Sequence, residues 1–282
     1  MYEKYKRFKE NRVKATTFEI QCTAINLHIL PYFKNRIISD ITPADIIEWQ
    51  NSILEKDFAA SYARRLNTLL KAIFRYAVDY LGLNRNPVKS TICKPEQSKI
   101  DFWTPEEYKT FSDGIKSNIE LYTALEILYY TGMRKGELLA LTLQDVDFDQ
   151  KTITINKTLV YINGSYQTQT PKTKRSNRVI DVPEFLLDEI REYISHFYKP
   201  DPEQRLFPRS LSWLGHAIKN NCCRLGLKVI RVHDLRHSLG ANPLMIADRL
   251  GHENVQMTLN TYSHLFESHQ KEIIEKLENL KS

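Results

Sequence analysis

Two arginines, two histidines and a tyrosine lie in short motifs whose residue types suit chemistry on a phosphodiester. His233 and Arg236 belong to a His-Asp-Leu-Arg-His run, His252 ends a Leu-Gly-His run, and Tyr262 follows ten residues later. Arg134 lies about a hundred residues upstream, after a Thr-Gly-Met sequence. No carboxylate cluster accompanies these motifs in the sequence. The set could surround a phosphodiester with positive charge while a phenol oxygen attacks phosphorus.

The two arginines are the candidates for binding the phosphate. Two forked guanidinium groups can hold the two non-bridging oxygens and favour the more anionic transition state. Arg236 lies three residues after His233, so a helix would place both side chains on one face. Arg134 precedes a run of good helix formers, a position that could direct its guanidinium into a cleft. A single arginine is more often half of a surface ion pair, so the prediction depends on the whole set.

Tyr262 is the candidate nucleophile. A phenol has a pKa near ~10, and neighbouring cations stabilise the phenolate as it forms. Attack on phosphorus would give a phosphotyrosine ester close in energy to the phosphodiester it replaces, so strand breakage would be reversible without ATP. The chain has 15 tyrosines, and only the neighbouring motifs distinguish Tyr262.

Three further residues could move protons at the same centre. His233 and His252 could donate hydrogen bonds to phosphate oxygens or exchange protons near neutral pH. Lys172 lies in a basic stretch, residues 171–178, that precedes an expected strand. It could protonate the leaving 5′ oxygen from a turn inserted in a DNA groove, and the alternative is a simple charged hairpin.

The distribution of charge indicates a polyanionic partner. The 282-residue chain has a net charge of +6, and residues 1–100 contain 17 Lys and Arg against 10 Asp and Glu. The positive excess therefore lies in the first third, as expected for nucleic-acid binding, although a solvated basic surface would show it too. The four cysteines form neither a disulfide framework nor a metal knuckle, and no apolar run suits a signal peptide or membrane span. We expect an intracellular protein with reduced thiols.

Hydrophobic periodicity predicts a mainly α-helical protein with two domains. Residues 1–90 form a helical domain with helices over 16–33, from 43, and over 59–81, and Leu66, Leu70, Ile73, Ala77 and Leu81 form the core stripe of the last. A polar linker follows over 91–101. Residues 102–282 form an α-rich domain interrupted by one small antiparallel sheet between 147 and 182, with a hairpin at Asn163-Gly164. An amphipathic helix over 268–281 ends the chain.

These motifs together resemble the tyrosine recombinase, or phage integrase, family, and most closely the integrases of Gram-positive phages and conjugative transposons. The similar segments are 131–141, 170–180, 233–238, 250–252 and 258–264, and the helical N-terminal part is similar to the family's core-site-binding domain. The resemblance implies a site-specific DNA recombinase that integrates or excises a mobile element. The implied catalytic set is Arg134, Lys172, His233, Arg236, His252 and Tyr262, with Glu137 supporting the first arginine.

The resemblance also implies an assembly on DNA in the bacterial cytoplasm, at the nucleoid. Two domains would form a C-shaped clamp on duplex core sites, contacted by basic residues that we assign as Arg64, Arg65, Lys71, Arg75, Lys174 and Arg175. A homotetramer would exchange C-terminal helices between protomers and pass through a Holliday junction. The apolar stripe of the last helix could instead pack on its own domain. The implied reaction uses no metal or nucleotide cofactor.

Two departures from the family pattern leave alternatives open. Family members usually carry an additional arm-site-binding domain at the N-terminus, which is not expected here. After Ser238 the chain passes directly into Leu-Gly-Ala-Asn-Pro, about seven residues earlier than the family pattern does. If that shortening prevents Arg236 and Tyr262 from converging, the chain would be an inactive DNA-binding protein. A type IB topoisomerase, which shares the Arg, Lys, His and Tyr chemistry, is the other alternative.

Overall fold

The chain divides into two compact units, Met1–Lys99 and Ile100–Ser282. The structure is a computed structural model that describes residues 1–89, 91–94, 101–170, 177–199 and 201–237. Each unit has its own cluster of buried hydrophobic side chains, with Trp49 fully buried in the first and Trp103 in the second.

The first unit is helical throughout its described residues. Its helices are α1 (Tyr2–Glu10), α2 (Ala15–His28), α3 (Leu30–Phe33), α4 (Pro43–Leu54) and α5 (Ala60–Leu81), with a 3₁₀ turn over Ile38–Asp40. The indole N–H of Trp49 donates to the carbonyl of His28 over 2.9 Å, which joins α4 to the end of α2.

Local sequence signals account for the ends of these helices. Thr42 and Asp45 form a capping box at the start of α4, in which each side chain bonds the other residue's backbone N–H. Pro43 occupies the first helical position, where its missing N–H costs nothing. Gly82 ends α5 with φ at +75°, a conformation that glycine adopts without strain.

The second unit begins with helices that carry the first candidate arginine. They are α6 (Pro105–Ile115), α7 (Ile119–Thr131) and α8 (Lys135–Leu138), followed by a 3₁₀ turn over Leu143–Asp145. Thr104 and Glu107 form the expected capping box at the start of α6. After the strands come α9 (Glu184–Ser195), α10 (Trp213–Leu225) and a 3₁₀ helix over Asp234–His237.

The strands of the described residues form two antiparallel sheets. The strands are β1 (Val146–Asp147), β2 (Thr152–Ile155), β3 (Thr158–Ile162), β4 (Ser165–Gln169) and β5 (Arg178–Asp181). β2 lies between β1 and β5, and β3 pairs only with β4 in a separate hairpin. Asn163 and Gly164, with φ at +49° and +79°, make the tight turn predicted there.

Several predictions about the fold are confirmed and others are wrong in detail. The mainly helical class and the helices after Thr42 and Thr104 are confirmed. The single sheet is wrong, because both edges of β2 are occupied by β1 and β5 and β3 must pair elsewhere. The helix over 16–33 divides at Ile29, and the short α3 follows with Pro31 in its first turn. Leu81, expected in the core stripe, is 38% exposed at the last turn of α5.

The segment that follows α5 packs on the first unit. Val88 is 1% exposed within that unit's core, and the thiol of Cys93 donates to the carbonyl of Ala60. The remainder of the expected linker, residues 95–100, lies outside the described residues, as does the helix expected over 268–281.

Candidate active site

Arg134 occupies a turn between two helices of the second unit. α7 ends at Thr131, and Gly132 turns the chain with φ at +63°. Arg134 then adopts an extended conformation as the N-cap of α8. Its side chain is 40% exposed and is therefore accessible to a ligand.

Glu137 holds Arg134 in that position. One carboxylate oxygen, Oε1, accepts from Nη1 of Arg134 over 2.8 Å, and the other, Oε2, accepts from the backbone N–H of Arg134 over 2.9 Å. The Glu137 side chain is 3% exposed. The contact that the family resemblance implies for Glu137 is thus present, with both the backbone and the side chain of Arg134.

A second arginine, Arg178, shares the same carboxylate. Its Nη2 donates to Oε2 of Glu137 over 3.0 Å, and its side chain is 10% exposed. Burial by itself would raise the pKa of Glu137. The charge and hydrogen bond of Arg178 and the hydrogen bonds from Arg134 outweigh that effect, so the pKa lies below its ordinary value of 4.5. Glu137 is therefore ionised at neutral pH.

Strand β3 packs closely against α8 at Gly136. A Cβ atom added to Gly136 would lie 2.6 Å from the hydroxyl oxygen of Thr158 and 3.1 Å from the carbonyl oxygen of Leu159. Only glycine allows α8 to approach the strand this closely. Contacts with β3 and β5 thus fix α8, the helix whose N-cap is Arg134.

The His-Asp-Leu-Arg-His motif is anchored by its central residues. His233 is exposed, and Asp234 and Leu235 are buried in the 3₁₀ helix that follows it. Asp234 accepts two hydrogen bonds from Arg231, over 2.7 Å from Nε and 2.9 Å from Nη2. The 3₁₀ helix packs against α7, whose C-terminal end leads to Arg134. The two motifs therefore belong to one packed region of the second unit.

The remaining candidate residues of this site lie outside the described side chains. The backbone of Arg236 is described within the 3₁₀ helix, and its side chain is not. Lys172, Lys174, Arg175, His252 and Tyr262 lie outside the described residues, as does the shortened segment after Ser238. The described side chains of the site are therefore those of Arg134, Glu137 and the first three residues of the His-Asp-Leu-Arg-His motif.

Four of the six basic residues predicted to contact DNA lie on α5 in the first unit. Arg65, Lys71 and Arg75 are exposed, and Arg64 is half-buried. Arg75 also pairs with Asp79 one turn later, at 3.0 Å, while its side chain remains 71% exposed. The opposite face of the helix carries the buried Leu66, Leu70 and Ile73, as the periodicity predicted.

Sequence reasoning missed two supporting residues. Arg178 stands two residues before the buried Ile180 on β5, so strand alternation places it on the core-facing side, where a cation needs a carboxylate partner. Arg231 lies three residues before Asp234, a spacing that suits a local ion pair. Both signals were present in the sequence.

The described residues contain no group of three or more His, Cys, Asp or Glu side chains that could hold a metal ion. No helix among them is long and apolar enough to cross a membrane.

Comparisons with known proteins identify relatives of both units. A model of the phage integrase family matches residues 101–269, and one of the phage integrase N-terminal SAM-like domain matches residues 1–54. The ICEBs1 integrase of Bacillus subtilis is 30% identical over 296 aligned positions, which cover 95% of this chain and 78% of the relative.

Solved structures show the same fold. The Tn1549 transposon integrase, bound to transposon right end DNA, has a TM-score of 0.78 at 24% identity and covers 97% of both chains. A lambda integrase tetramer bound to a Holliday junction has a TM-score of 0.65 at 17% identity, over 89% of this chain and 76% of that one.

Proposed function

The chain belongs to the phage integrase family, and on that premise we propose which of its residues carry out the strand-transfer reaction. It is a tyrosine-type site-specific recombinase of mobile elements. The observation that carries the residue assignment is the buried Glu137 carboxylate, which fixes an accessible Arg134 inside the matched segment 101–269. All six candidate catalytic residues fall within that segment.

The nucleophile in this proposal is Tyr262. Its hydroxyl oxygen forms a bond to phosphorus as the bond from phosphorus to the 5′ oxygen breaks, which leaves a 3′-phosphotyrosine and a free 5′ hydroxyl. The phenol proton passes to a neighbouring base, for which His233 and His252 are the candidates, and Lys172 delivers a proton to the departing 5′ oxygen. Rejoining reverses these steps with the 5′ hydroxyl of a second strand.

Arg134 and Arg236 provide the positive charge of the site. Two guanidiniums on the non-bridging oxygens stabilise the additional charge of the pentacoordinate transition state. The ionised Glu137 holds Arg134 in place through a hydrogen bond to its Nη1. Because arginine and lysine side chains provide this charge and the proton, the proposed reaction needs no metal or nucleotide cofactor.

Duplex DNA is the proposed partner of both units. We assign residues 1–90 to core-site binding, through Arg64, Arg65, Lys71 and Arg75, and residues 102–282 to catalysis, with Lys174 and Arg175 at the DNA. The match of residues 1–54 to the N-terminal SAM-like domain supports this division. The proposed form of this binding is a C-shaped clamp on the duplex, and the Tn1549 integrase bound to transposon DNA, which has a similar fold, is consistent with it.

The proposed assembly is a homotetramer across two core sites. The helix expected over 268–281 would dock on a neighbouring protomer, and the lambda integrase tetramer on a Holliday junction supports the multimer. The reaction would integrate or excise a mobile element at the nucleoid, in the bacterial cytoplasm.

Covalent capture on suicide DNA tests the residue assignment. A core site is first selected from a randomised duplex library by covalent attachment to the wild-type chain and is then prepared with a nick, so that the released fragment diffuses away. Wild-type protein should accumulate a covalent complex, with or without EDTA. Tyr262→Phe should bind the same duplex and form none.

A matched control uses a tyrosine outside the proposed catalytic set. Tyr198 is 88% exposed after α9, and Tyr198→Phe should form the covalent complex at the wild-type rate. A complex that persists in Tyr262→Phe, or that disappears with EDTA, would overturn the assignment.

A further inference from the structure

The carboxylate of Glu137 serves two guanidiniums that differ in exposure. Arg178 is 10% exposed and bonds Oε2, whereas Arg134 is 40% exposed and bonds Oε1 with Nη1. One carboxylate therefore contacts two guanidiniums. The more exposed member, Arg134, is the one that a phosphate can reach.

Because Arg178 occupies one oxygen of the Glu137 carboxylate, it limits the number of N–H groups of the Arg134 guanidinium that Glu137 can bind. Oε2 already accepts from Arg178 and from the backbone N–H of Arg134, so the Arg134 side chain bonds the carboxylate through Nη1 alone. Without Arg178, Oε2 would lose one of its donors. The Arg134 guanidinium could then turn to bind both oxygens, the geometry that arginine and carboxylate favour.

The same hydrogen bond fixes the start of β5. Arg178 is the first residue of that strand and pairs with Ile155 of β2. The basic stretch with Lys172 lies immediately before it in the sequence. The contact from Arg178 to Glu137 therefore joins the strand that follows this stretch to α8, whose N-cap is Arg134.

We propose that Arg178 is a positioning residue, which presents the Arg134 guanidinium to the scissile phosphate by sharing the Glu137 carboxylate. This inference rests on the proposed function, because it takes Arg134 as a phosphate ligand. It assigns no DNA contact to Arg178 and attributes its effect to Arg134 alone.

Single-turnover cleavage of the nicked suicide duplex tests the role. Arg178→Gln should slow formation of the covalent complex by about 10- to 100-fold, the effect of one charged hydrogen bond, and should change the duplex Kd by less than about 2-fold. Arg178→Lys, which restores a cation that can reach one oxygen, should recover most of the lost rate. Arg191→Gln, which removes an exposed ion-pairing arginine of α9, should cleave at the wild-type rate.

A double-mutant cycle separates positioning from a general loss of structure. In a Glu137→Gln background, adding Arg178→Gln should lower the cleavage rate by less than about a further 2-fold, because both changes release the Arg134 guanidinium. Independent, multiplying effects would overturn the proposal. So would a Kd that rises as far as the rate falls, or an Arg178→Lys protein that keeps its wild-type Tm but is as slow as Arg178→Gln.

Two outcomes distinguish a failure of the proposed function from a failure of this inference. A wild-type chain that forms no covalent complex would overturn the proposed function, and this inference with it. A wild-type chain that forms the complex, beside an Arg178→Gln chain that forms it equally fast, would overturn the inference alone.

Discussion

The carboxylate of Glu137 accepts both the backbone N–H and the Nη1 of Arg134, over 2.9 and 2.8 Å, from a position that is 3% exposed. An ionised carboxylate is rarely buried unless cations and N–H groups surround it. Here those groups are Arg134 and Arg178. The same contact therefore contributes to the stability of the second unit and holds Arg134, its proposed catalytic arginine, in position.

Glu137 should make the stability of the chain depend on pH in a defined direction. The pKa of Glu137 lies below 4.5 in the folded chain, because Arg178 and Arg134 outweigh the effect of burial. Its contribution is therefore complete above pH 4.5 and is lost as the pH falls through the folded-state value. Glu137→Gln should lower the free energy of unfolding by about 3 kcal/mol at neutral pH and by less in acid. Denaturant unfolding at several pH values measures this difference.

Glu189 provides a control with the opposite sign. Burial raises its pKa, although a hydrogen bond from Tyr122 partly offsets that effect. Ionisation of Glu189 therefore lowers the free energy of unfolding as the pH rises. The stability of Glu189→Gln should accordingly increase relative to the wild type as the pH rises. Parallel pH dependences for the two variants would contradict the assignment of Glu137.

Gly136 should tolerate no side chain. Gly136→Ala would bring a Cβ atom to within 3.1 Å of the Leu159 carbonyl oxygen, so α8 or β3 must move. The variant should be less stable by about 1–3 kcal/mol. It should also cleave DNA more slowly, because Arg134 is the N-cap of α8. Denaturant unfolding and single-turnover cleavage measure the two effects.

Gly215 provides the matched control for Gly136. A Cβ atom added to Gly215, in the first turn of α10, would meet open space. Gly215→Ala should therefore be more stable than the wild type, by up to about 1 kcal/mol, because alanine favours the helix. Loss of stability in both variants, or in neither, would contradict the close packing of α8 on β3.

The fold was predictable wherever residues close in sequence form hydrogen bonds with one another. Thr42 with Asp45, Thr104 with Glu107, and the Asn163-Gly164 turn all satisfy backbone groups within four residues, so their positions can be read from sequence. The pairing of β3 with β4, rather than with β2, depends on β5 occupying the other edge of β2. That choice is made by tertiary contacts, which no local pattern reveals.

The sequence indicated the residue types of the candidate site more fully than the residues that hold Arg134 in position. Arg134 and Glu137 are three residues apart, and their contact follows from that spacing. Arg178 is 41 residues from Glu137 in sequence, and only the folding of β5 beside α8 brings it near. Alternation along β5 could indicate that Arg178 faces inward, but it could not identify the carboxylate that it meets.

The exposed basic residues of α5 should determine how DNA binding depends on salt. Arg65→Gln and Lys71→Gln should each weaken binding to the selected core site and to unrelated duplex alike. Each should also reduce the slope of log Kd against log salt by about 1, because one phosphate contact is lost. Titrations at several salt concentrations measure the slope.

A lysine of the second unit serves as the matched control. Lys116 is exposed and pairs with Asp113 at 2.8 Å, and Lys116→Gln should leave both the Kd and the slope unchanged. Equal salt slopes for Arg65→Gln, Lys71→Gln and the wild type would show that α5 does not contact the DNA backbone.

Mapping the protein–DNA bond tests the central claim most directly. The wild-type covalent complex on the selected suicide duplex is digested with trypsin and nuclease, and the modified peptide is sequenced by mass spectrometry. We predict that the nucleotide is attached through a 3′ phosphate to Tyr262, within the peptide that spans residues 250–271. Attachment at any other residue, or a 5′ linkage, would contradict the account.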